Sequence, residues 1–307
     1  MLVGPYTHTG FGQATQGEAS FPNAQIPYGT LWPREMEFID RWLLGAPMPT
    51  QAAPVAYYAM GDLEAAPGGA PGNEWRAAED WPPPAKPRRF HLDFGNRLSE
   101  AAPASQGSAS YTYNPFNYVP TRGGQNFFVD AGPFDQTASS GRSNLESRAD
   151  VVLFTSEPLI RPLEAAGRVK ASVVVSTLAA DTDFTAKLTD VYPNGKSMLI
   201  ADGIQRLLLR DSLSAASPVA AGQTYRIEID MGSTCAIFNA GHRIRLAVSS
   251  SNYPRFQTNP NNGSLDWTNL IVRTAANTVH WGGSRDSYLE LPIPERQTAA
   301  RPAWTNY

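Results

Sequence analysis

Histidine is the side chain through which this sequence is best equipped to do chemistry. The 307 residues contain four histidines and one cysteine, which are His8, His91, His242, His280 and Cys235. No two of the histidines have the spacing of metal ligands, and a lone cysteine forms neither an internal disulfide nor a cysteine-based zinc site. We therefore predict no metal and no cofactor. The histidines are considered as proton donors and acceptors, because imidazole titrates near neutral pH.

His8 has the most distinctive position of the four histidines. Residues 1–3 (MLV) have the character of a short strand end, which a Gly-Pro pair terminates. His8 follows almost at once, in a glycine-rich stretch that runs to residue 29, and α/β folds place their chemistry in loops that follow strands. The other three histidines lie within or next to predicted strands, where we expect structural roles. From position alone, a catalytic and a structural role of His8 are equally open.

Other arrangements of chemical interest are weaker. The sequence contains no G-x-S-x-G, the motif that carries the nucleophilic serine of an α/β-hydrolase, and no glycine-rich phosphate loop. Asp181, Asp183 and Asp190 lack the spacing of a calcium loop, so a polar strand entrance is favoured over a cation site. Packing within a sheet is likewise favoured over a sugar-binding face for four aromatic residues: Trp75, Trp81, Phe90 and Phe94.

One amphipathic helix is predicted before the main series of strands. It begins at Pro33 and stops at Gly45, since glycine commonly terminates helices and prolines follow it here. Its apolar side chains recur largely with the spacing of one helix face: Met36, Phe38, Ile39, Trp42, Leu43 and Leu44. A strand end, a loop and one helix bury no core by themselves. We therefore expect this first part of the chain to pack against something else.

Short strands separated by turn residues fill the sequence from about residue 50 to residue 295. Residues 225–231 and 244–248 alternate apolar and polar side chains, and so do residues 184–189, which we predict to form a half-buried strand. Strands without intervening helices favour two packed antiparallel sheets. Long loops favour a jelly roll over an immunoglobulin-type sandwich, because they permit crossover connections. The predicted fold class is mainly β, with a jelly-roll β-sandwich.

Composition argues against several classes of protein. The net charge of −3, with no long run of one sign, gives no reason to expect nucleic acid or an anionic membrane as a partner. No apolar stretch approaches the roughly 20 residues that a membrane helix needs. The first residues lack the basic and apolar regions of a secretory signal. We accordingly expect a cytoplasmic location.

Several motifs together give a resemblance to a known family. Residues 4–8 (GPYTH) resemble the G-P-[WY]-x-H motif of the cocaine esterase and α-amino-acid ester hydrolase family, which is related to the X-Pro dipeptidyl-peptidases. Further segments resemble that family, in the same order, along nearly the whole chain: residues 37–45, 54–61, 73–76, 80–83, 119–124, 132–136, 154–159, 181–188, 241–246 and 249–256. Each match is weak alone, and their shared order makes the set specific.

The resemblance implies a domain organisation. In that family a jelly-roll domain packs beside an α/β-hydrolase domain, whose catalytic triad follows the order serine, aspartate, histidine. Residues 1–48 would be the C-terminal remnant of the hydrolase domain, namely its last strand end, loop and helix. Residues 49–295 would form the jelly-roll domain, and residues 296–307 a tail.

The resemblance also implies a function. His8 matches the catalytic histidine, which takes the proton of the serine and then protonates the leaving group when an ester or amide is cleaved. The serine and aspartate of the family lie upstream and have no counterpart in this chain, so we expect the chain alone to be inactive. Loops of the jelly roll border the pocket in such an arrangement, which makes Trp75, Trp81 and Tyr253 conceivable contributors.

Three interpretations stay open. In the first, the chain is a fragment or truncated product of a hydrolase. In the second, a separate N-terminal α/β-hydrolase chain supplies the serine and aspartate, and the substrate is a small ester or amide in either case. In the third, the chain is a non-catalytic jelly-roll module that binds carbohydrate or protein, and His8 is incidental. The match of the first 45 residues favours the hydrolase class, and the sequence leaves a homo-oligomer open.

Overall fold

The computed structural model describes residues 1–47, 54–66, 68–127, 130–137, 143–266, 268–269 and 271–295. Within these ranges the chain forms one α-helix and sixteen β-strands, together with short 3₁₀ turns. In the described part of the chain, no helix has the length and apolar character that crossing a membrane requires. The predicted domain boundary at residues 48 and 49 and the predicted tail at 296–307 lie outside the described residues.

The first five strands and the helix form the N-terminal part of the molecule. Their bounds are β1 Leu2–Val3, β2 Thr15–Gln16, β3 Ala19–Ser20, α1 Tyr28–Leu44, β4 Val55–Ala59 and β5 Glu74–Ala78. Strand β4 pairs in parallel with β1 and antiparallel with β5, which gives a small sheet of order β1-β4-β5. Strands β2 and β3 pair with each other. Strand β1 is therefore an edge strand of the small sheet, a few residues before His8.

Helix α1 begins five residues before the predicted start at Pro33, so that prediction was wrong. Pro33 lies inside the helix, where its fixed φ angle suits the helical backbone although its missing N–H removes one backbone hydrogen bond. The predicted end is confirmed, since Gly45 adopts a φ of 73° and its N–H bonds to the carbonyl of Asp40. Several apolar side chains of the helix are largely exposed: Phe38, Trp42, Leu43 and Leu44.

The remaining strands belong to one large sheet. Their bounds are β6 Ala85–Asp93, β7 Arg97–Ser99, β8 Gly107–Tyr113, β9 Val152–Thr155, β10 Leu163–Thr177, β11 Asp183–Val191, β12 Ser197–Arg206, β13 Tyr225–Phe238, β14 Arg243–Ser249, β15 Ala275–Trp281 and β16 Tyr288–Pro294. The strands pair in the order β12-β11-β14-β9-β7-β6-β16-β10-β15-β8, and β13 pairs with β10 beside this path. The predicted mainly β fold is confirmed. The ladders connect these strands continuously, and their division into the two sheets of a jelly roll stays a prediction.

The large sheet surrounds an apolar core of its own. Its strands contribute large side chains that are fully buried: Phe154, Phe184, Leu188, Ile229, Phe238, Leu246 and Leu289. Removing this much apolar surface from water is the main force that holds the sheet together.

Strand β11 corrects the prediction of a half-buried strand, because all nine of its residues are buried. The alternating polar side chains lie under neighbouring segments of the chain. Lys187 Nζ donates to Gln136 Oε1 at 3.1 Å, and Thr189 Oγ1 accepts from Ser197 Oγ at 2.8 Å. Burial lowers the pKa of Lys187 to about 8. The alternation therefore marks an apolar face and a hydrogen-bonded face, and both are covered.

The small sheet is fastened to the large sheet. Arg76 Nη1 on β5 lies 2.7 Å from both carboxylate oxygens of Glu164 on β10, and this ion pair is buried. Met60, directly after β4, exchanges backbone hydrogen bonds with Cys235 and Ile237 of β13. An apolar cluster fills the space between the sheets: Val55, Tyr57, Ala59, Ala78, Ala166, Cys235 and Ile237. These contacts fix β4, and through it β1, relative to the large sheet.

Candidate active site around His8

His8 lies in the loop that connects β1 to β2, and we call residues 4–13 the His8 loop. Tyr6 anchors its beginning, because the Tyr6 hydroxyl donates to the carbonyl of Ala24 and its ring packs edge-to-face on Phe11 at 5.2 Å. The ring also lies over Gly4, where a Cβ atom would come within 2.2 Å of it. Glycine at position 4 therefore leaves room for the aromatic side chain at position 6.

Gln16 is the buried centre of the His8 loop. Its Oε1 accepts hydrogen bonds from the backbone N–H and the hydroxyl of Thr7, each at 2.8 Å. Its Nε2 donates to the carbonyl of Gly10 at 2.6 Å and to that of Gln13 at 2.8 Å. The side chain thus uses both donors and both lone pairs of its amide. Since His8 lies between Thr7 and Gly10, this one side chain fixes the backbone on both sides of the histidine.

A cavity of about 410 Å³ opens beside His8. Its volume lies within the range of small-molecule sites. The His8 loop and β1 form one wall, and Tyr58, Met60 and Trp81 form a second. The third wall comes from the large sheet and the loop before β9: Gly124, Gln125, Asn126, Phe127, Gly132, Pro133, Leu199, Ile200, Ala201, Asp202, Ser233, Thr234 and Cys235. The cavity therefore lies where the two sheets meet.

The carboxylate and the thiol that line this cavity are poor candidates for chemistry. Asp202 Oδ1 lies 2.5 Å from Arg255 Nη1, and Oδ2 accepts from Asn252 Nδ2 at 2.8 Å. Burial raises the pKa of Asp202, although the charge of Arg255 opposes this. Burial and the charge of Glu164 raise the pKa of Cys235, so its thiolate is disfavoured. Burial also raises the pKa of the Tyr6 and Tyr58 phenols, which leaves His8 among the described lining residues as the group suited to proton transfer.

The imidazole of His8 is exposed and packs against one side chain of the loop before β9. The ring centroids of His8 and Phe127 are 4.1 Å apart, and their planes differ by 30°. In the part of the chain that the structure describes, His8 has no hydrogen bond to a serine or a carboxylate. A general base of the triad type needs both. Among the described residues, no serine or carboxylate therefore completes such a triad around His8.

His242 and His91 have the environments of structural residues. His242 is buried between two carboxylates, with Nδ1 2.9 Å from Asp190 Oδ1 and Nε2 3.3 Å from Asp62 Oδ2. Burial opposes the protonation of His242, but these two carboxylates outweigh it and raise its pKa. His91 Nδ1 lies 2.8 Å from Asp286 Oδ1. Neither histidine lines the cavity.

His280 forms a serine–histidine pair that the sequence did not reveal. Its Nε2 lies 2.9 Å from the Oγ of Ser176 on the neighbouring strand, and both residues are buried. Burial lowers the pKa of His280, and the charge of Arg285 lowers it further. The two residues lie 104 positions apart, so no local motif could have indicated the pair. Neither residue lines the cavity beside His8.

The three aspartates considered as calcium ligands are engaged with the protein itself. Asp181 pairs with Arg206 at 2.6 Å and accepts from the N–H of Leu208. Asp183 accepts from Asn259, and burial raises the pKa of Asp183 to about 7. Asp190 holds His242 as described above. No group of three or more metal-binding side chains occurs among the described residues.

The aromatic residues proposed from the sequence separate into buried, exposed and lining positions. Trp75 and Phe90 are buried, and Phe94 is exposed. Trp75 donates its indole N–H to the carbonyl of Asn23. Trp81 lines the cavity, whereas Tyr253 packs on Tyr118 with ring centroids 4.7 Å apart and lies outside it. Of the three conceivable pocket residues, only Trp81 therefore meets the cavity beside His8.

The sequence matches the model of a known protein family. Residues 48–290 match the family model described as the X-Pro dipeptidyl-peptidase C-terminal non-catalytic domain. The matched segment includes β4, β5 and the large sheet as far as the beginning of β16. Residues 1–47, which carry His8, lie before it.

Similar proteins are about twice as long as this chain. The chain is 33% identical over 311 residues to the cocaine esterase of Rhodococcus sp. (strain MB1 Bresler), a match that covers 96% of this chain and 51% of that protein. An α-amino acid ester hydrolase superposes with a TM-score of 0.76 at 24% identity, over 95% of this chain and 49% of the other. An aminopeptidase from a Thaumarchaeota archaeon superposes with a TM-score of 0.74 at 23% identity, over 94% and 48%. These two structural matches show the fold alone.

Proposed function

This chain belongs to the family of X-Pro dipeptidyl-peptidase C-terminal non-catalytic domains, and from that premise we propose that it is the C-terminal part of a serine hydrolase that cleaves ester or amide bonds. In this proposal the chain supplies the catalytic histidine, His8. An N-terminal α/β-hydrolase segment or chain supplies the serine and the aspartate. The observation that carries the proposal is the exposed imidazole of His8 at the mouth of a cavity between two sheets.

The proposal divides the chain by role. Residues 1–48 are the end of the α/β-hydrolase domain, and residues 49–295 are the jelly-roll domain. Strand β1 pairs in parallel with β4 across this division, and α1 lies between the two strands in the chain, an arrangement of the kind found in α/β sheets. In the part of the chain that the structure describes, β1 pairs with β4 alone, so its other edge is available to a further strand of a hydrolase sheet.

Helix α1 supports the same partner. The side chains of Phe38 and Trp42 lie one turn apart with ring centroids at 6.3 Å, and both are 65% exposed. Leu43 and Leu44 extend the exposed apolar surface at the end of the helix. Contiguous apolar surface of this kind marks an interaction site. In the proposed enzyme the hydrolase segment covers it.

The mechanism assigns His8 two proton transfers. One imidazole nitrogen accepts the serine proton while the serine oxygen attacks the carbonyl carbon, and the other nitrogen donates to the aspartate. The bond to the leaving alcohol or amine breaks as His8 returns the proton to it. A water molecule then releases the acyl group by the same route in reverse. The cavity beside His8 is large enough for a small acyl or leaving group, and Trp81 and Met60 give it apolar walls.

A second candidate is a non-catalytic binding module for carbohydrate or protein. The description of the matched family as a non-catalytic domain favours this candidate for residues 48–290. It differs from the hydrolase proposal in one respect that an experiment can decide. A binding module would lose nothing when His8 is replaced.

The deciding experiment measures hydrolysis of p-nitrophenyl esters by the chain alone and by the chain combined with an α/β-hydrolase segment. That segment is taken from the half of the Rhodococcus cocaine esterase that this chain does not match. A serine-directed fluorophosphonate label is run beside both samples. We expect no turnover and no labelling of the chain alone, and turnover with labelling of the added segment in the assembled sample.

His8→Ala tests the role of the histidine within the assembled sample. We expect kcat to fall by about 10⁵- to 10⁶-fold, the effect of removing a triad histidine in other serine hydrolases. His91→Ala is the matched control, because His91 lies away from the cavity and pairs with Asp286 there. Unchanged activity of His8→Ala, or labelling of a serine within this chain alone, would overturn the proposal.

A further inference from the structure

The contact between His8 and Phe127 joins the two parts of the molecule at the site of the proposed chemistry. His8 belongs to the loop after β1, whereas Phe127 belongs to the loop that leads from β8 towards β9. The 4.1 Å separation and 30° tilt of the rings bring their faces together. Phe127 is itself 52% exposed, so the contact is made at the rim of the cavity and not within a core.

The backbone that carries Phe127 is closed by two glycines. Gly124 N donates to Gly132 O at 2.7 Å, and Gly132 N donates to Gly124 O at 2.9 Å. Both glycines have positive φ angles, 94° and 103°. A Cβ atom on Gly124 would lie 2.6 Å from Arg255 Nη1 and 2.7 Å from Asp202 Oδ1. We call the described residues 124–127 and 130–132 the glycine-closed loop, and its base rests directly on the Asp202–Arg255 ion pair.

The glycine-closed loop also rests on the segment that follows the His8 loop. A Cβ atom on Gly132 would come within 3.0 Å of Gly17 N and 3.2 Å of Thr7 Cγ2. Glu18 N donates to Pro133 O at 3.0 Å, and the Glu18 carboxylate accepts from Asp135 N at 2.9 Å. The base of the loop and the residues on both sides of His8 are therefore held in one fixed arrangement.

We infer that the glycine-closed loop of the large sheet positions the imidazole of His8 through Phe127. The inference rests on the proposed function for its catalytic meaning. Gln16 fixes the backbone at Thr7 and Gly10 but leaves the side-chain rotation of His8 free, because none of its hydrogen bonds reaches the imidazole. Phe127 occupies one face of the ring and restricts that rotation.

Restricting the rotation of the imidazole favours proton transfer, because a base that rotates freely is seldom in the orientation that the transfer requires. The family model describes the matched segment as non-catalytic. A loop of that segment would then act on catalysis without touching the reacting bond. Phe127 is accordingly a positioning residue in this inference.

Nuclear magnetic resonance of the imidazole protons tests the contact in the full chain, without a need for activity. The four histidines allow the His8 signals to be assigned from their loss in His8→Ala. Ring currents from Phe127 should move the Hδ2 and Hε1 signals of His8 upfield. We expect Phe127→Leu to shift them downfield and Phe127→Tyr, which keeps the ring, to preserve them. Phe116→Leu, a change at an 81% exposed phenylalanine of the same loop region, is the matched control and should leave them unchanged.

The assembled enzyme tests the consequence. Phe127→Leu should lower kcat by about 10- to 100-fold with little change in KM, as a misplaced catalytic group does. Phe127→Tyr should restore kcat. If Phe127→Leu left the His8 signals unchanged, the inference would be overturned. A rise in KM with unchanged kcat would also overturn it, because Phe127 would then contact the substrate and not position His8. Full activity of His8→Ala would overturn the proposed function instead, whatever the spectra show.

Discussion

Residues 1–47 and the large sheet differ in where their apolar side chains lie. In the large sheet, Phe154, Phe184 and Leu246 are completely buried. On α1, Leu43 and Leu44 each expose 77% of their surface. Helices in proteins draw most of their stability from the tertiary packing of an apolar face. The large sheet therefore contains its own core, whereas several apolar side chains of the helix are not covered by other described residues.

The same two regions also differ in how their polar groups are satisfied. The His8 loop is organised by hydrogen bonds to one buried amide, that of Gln16, and by a small apolar cluster that includes Phe21, Ile26 and Trp75. The polar face of β11 in the large sheet is instead covered by neighbouring segments that bury charged groups such as Lys187. Residues 1–47 thus hold the His8 loop through the amide of Gln16, while several apolar side chains of their helix stay exposed.

The largest expected effect comes from the buried ion pair that joins the two regions. Glu164→Ala leaves Arg76 buried without its main partner, since the half-exposed Glu74 is a weaker substitute. We expect the free energy of unfolding to fall by about 3–5 kcal/mol. Denaturant titration measures the change, with Glu228→Ala as a control at a surface pair with Lys170, where we expect less than about 1 kcal/mol. Equal losses in the two variants would mean that the pair does not fasten the sheets.

A matched pair of leucines tests the difference in packing directly. Leu246→Ala removes a fully buried side chain from β14, and we expect a loss of about 2–5 kcal/mol in the free energy of unfolding. Leu43→Ala removes an exposed side chain from α1, and we expect a change within about 0.5 kcal/mol. Thermal or denaturant unfolding of both variants provides the measurement. A large loss in Leu43→Ala would show that the helix already packs on the chain itself, and the comparison would fail.

A smaller and local effect is expected at Gln16. Gln16→Leu leaves the N–H of Thr7 and the carbonyls of Gly10 and Gln13 without their partner, at a cost of about 1–3 kcal/mol. We expect faster hydrogen exchange of the Thr7 amide, with unchanged protection in β10 and β14. Gln205→Leu is the matched control, because Gln205 bonds two carbonyls beside the large sheet. Loss of protection throughout the large sheet in Gln16→Leu would contradict a local role.

The smallest expected effect is the pH dependence that His242 contributes. Its pKa is raised in the folded chain, because the effect of the Asp190 and Asp62 carboxylates exceeds the opposite effect of burial. The pKa of a histidine in an unfolded chain is about 6.5. Above that pH the folded state keeps a proton that the unfolded state has lost, so stability falls as pH rises through the folded pKa. Each unit of pKa difference amounts to about 1.4 kcal/mol.

The measurement compares the free energy of unfolding of the native chain and His242→Gln between pH 6 and about pH 9. Asp183 and Lys187 titrate in both proteins, so their contributions cancel in the difference. We expect the native advantage to be greatest at the acidic end and to decline as pH rises. A difference that stays constant with pH would show that His242 is not held as an imidazolium.

Local sequence patterns predicted much of this structure, because the ends of helices and the positions of strands depend largely on residues that are close together in the sequence. The alternation at residues 225–231 and 244–248 correctly indicated β13 and β14, and Gly45 correctly marked the end of α1. The same reasoning placed the start of α1 at Pro33 and made β11 half-buried, and both were wrong. Proline can lie inside a helix at the cost of one backbone hydrogen bond, and alternation does not say what covers the second face of a strand.

The sequence by itself determined the mainly β fold and singled out His8 after a strand end. Turn residues, periodicity and the positions of glycines and prolines are local properties, so they can be identified from the sequence without the tertiary structure. Only the tertiary structure brought Phe127 and Asp202 to the cavity beside His8 and Ser176 to His280. These partners lie far apart in the chain or belong to different sheets, and their contacts arise from packing that no local pattern encodes.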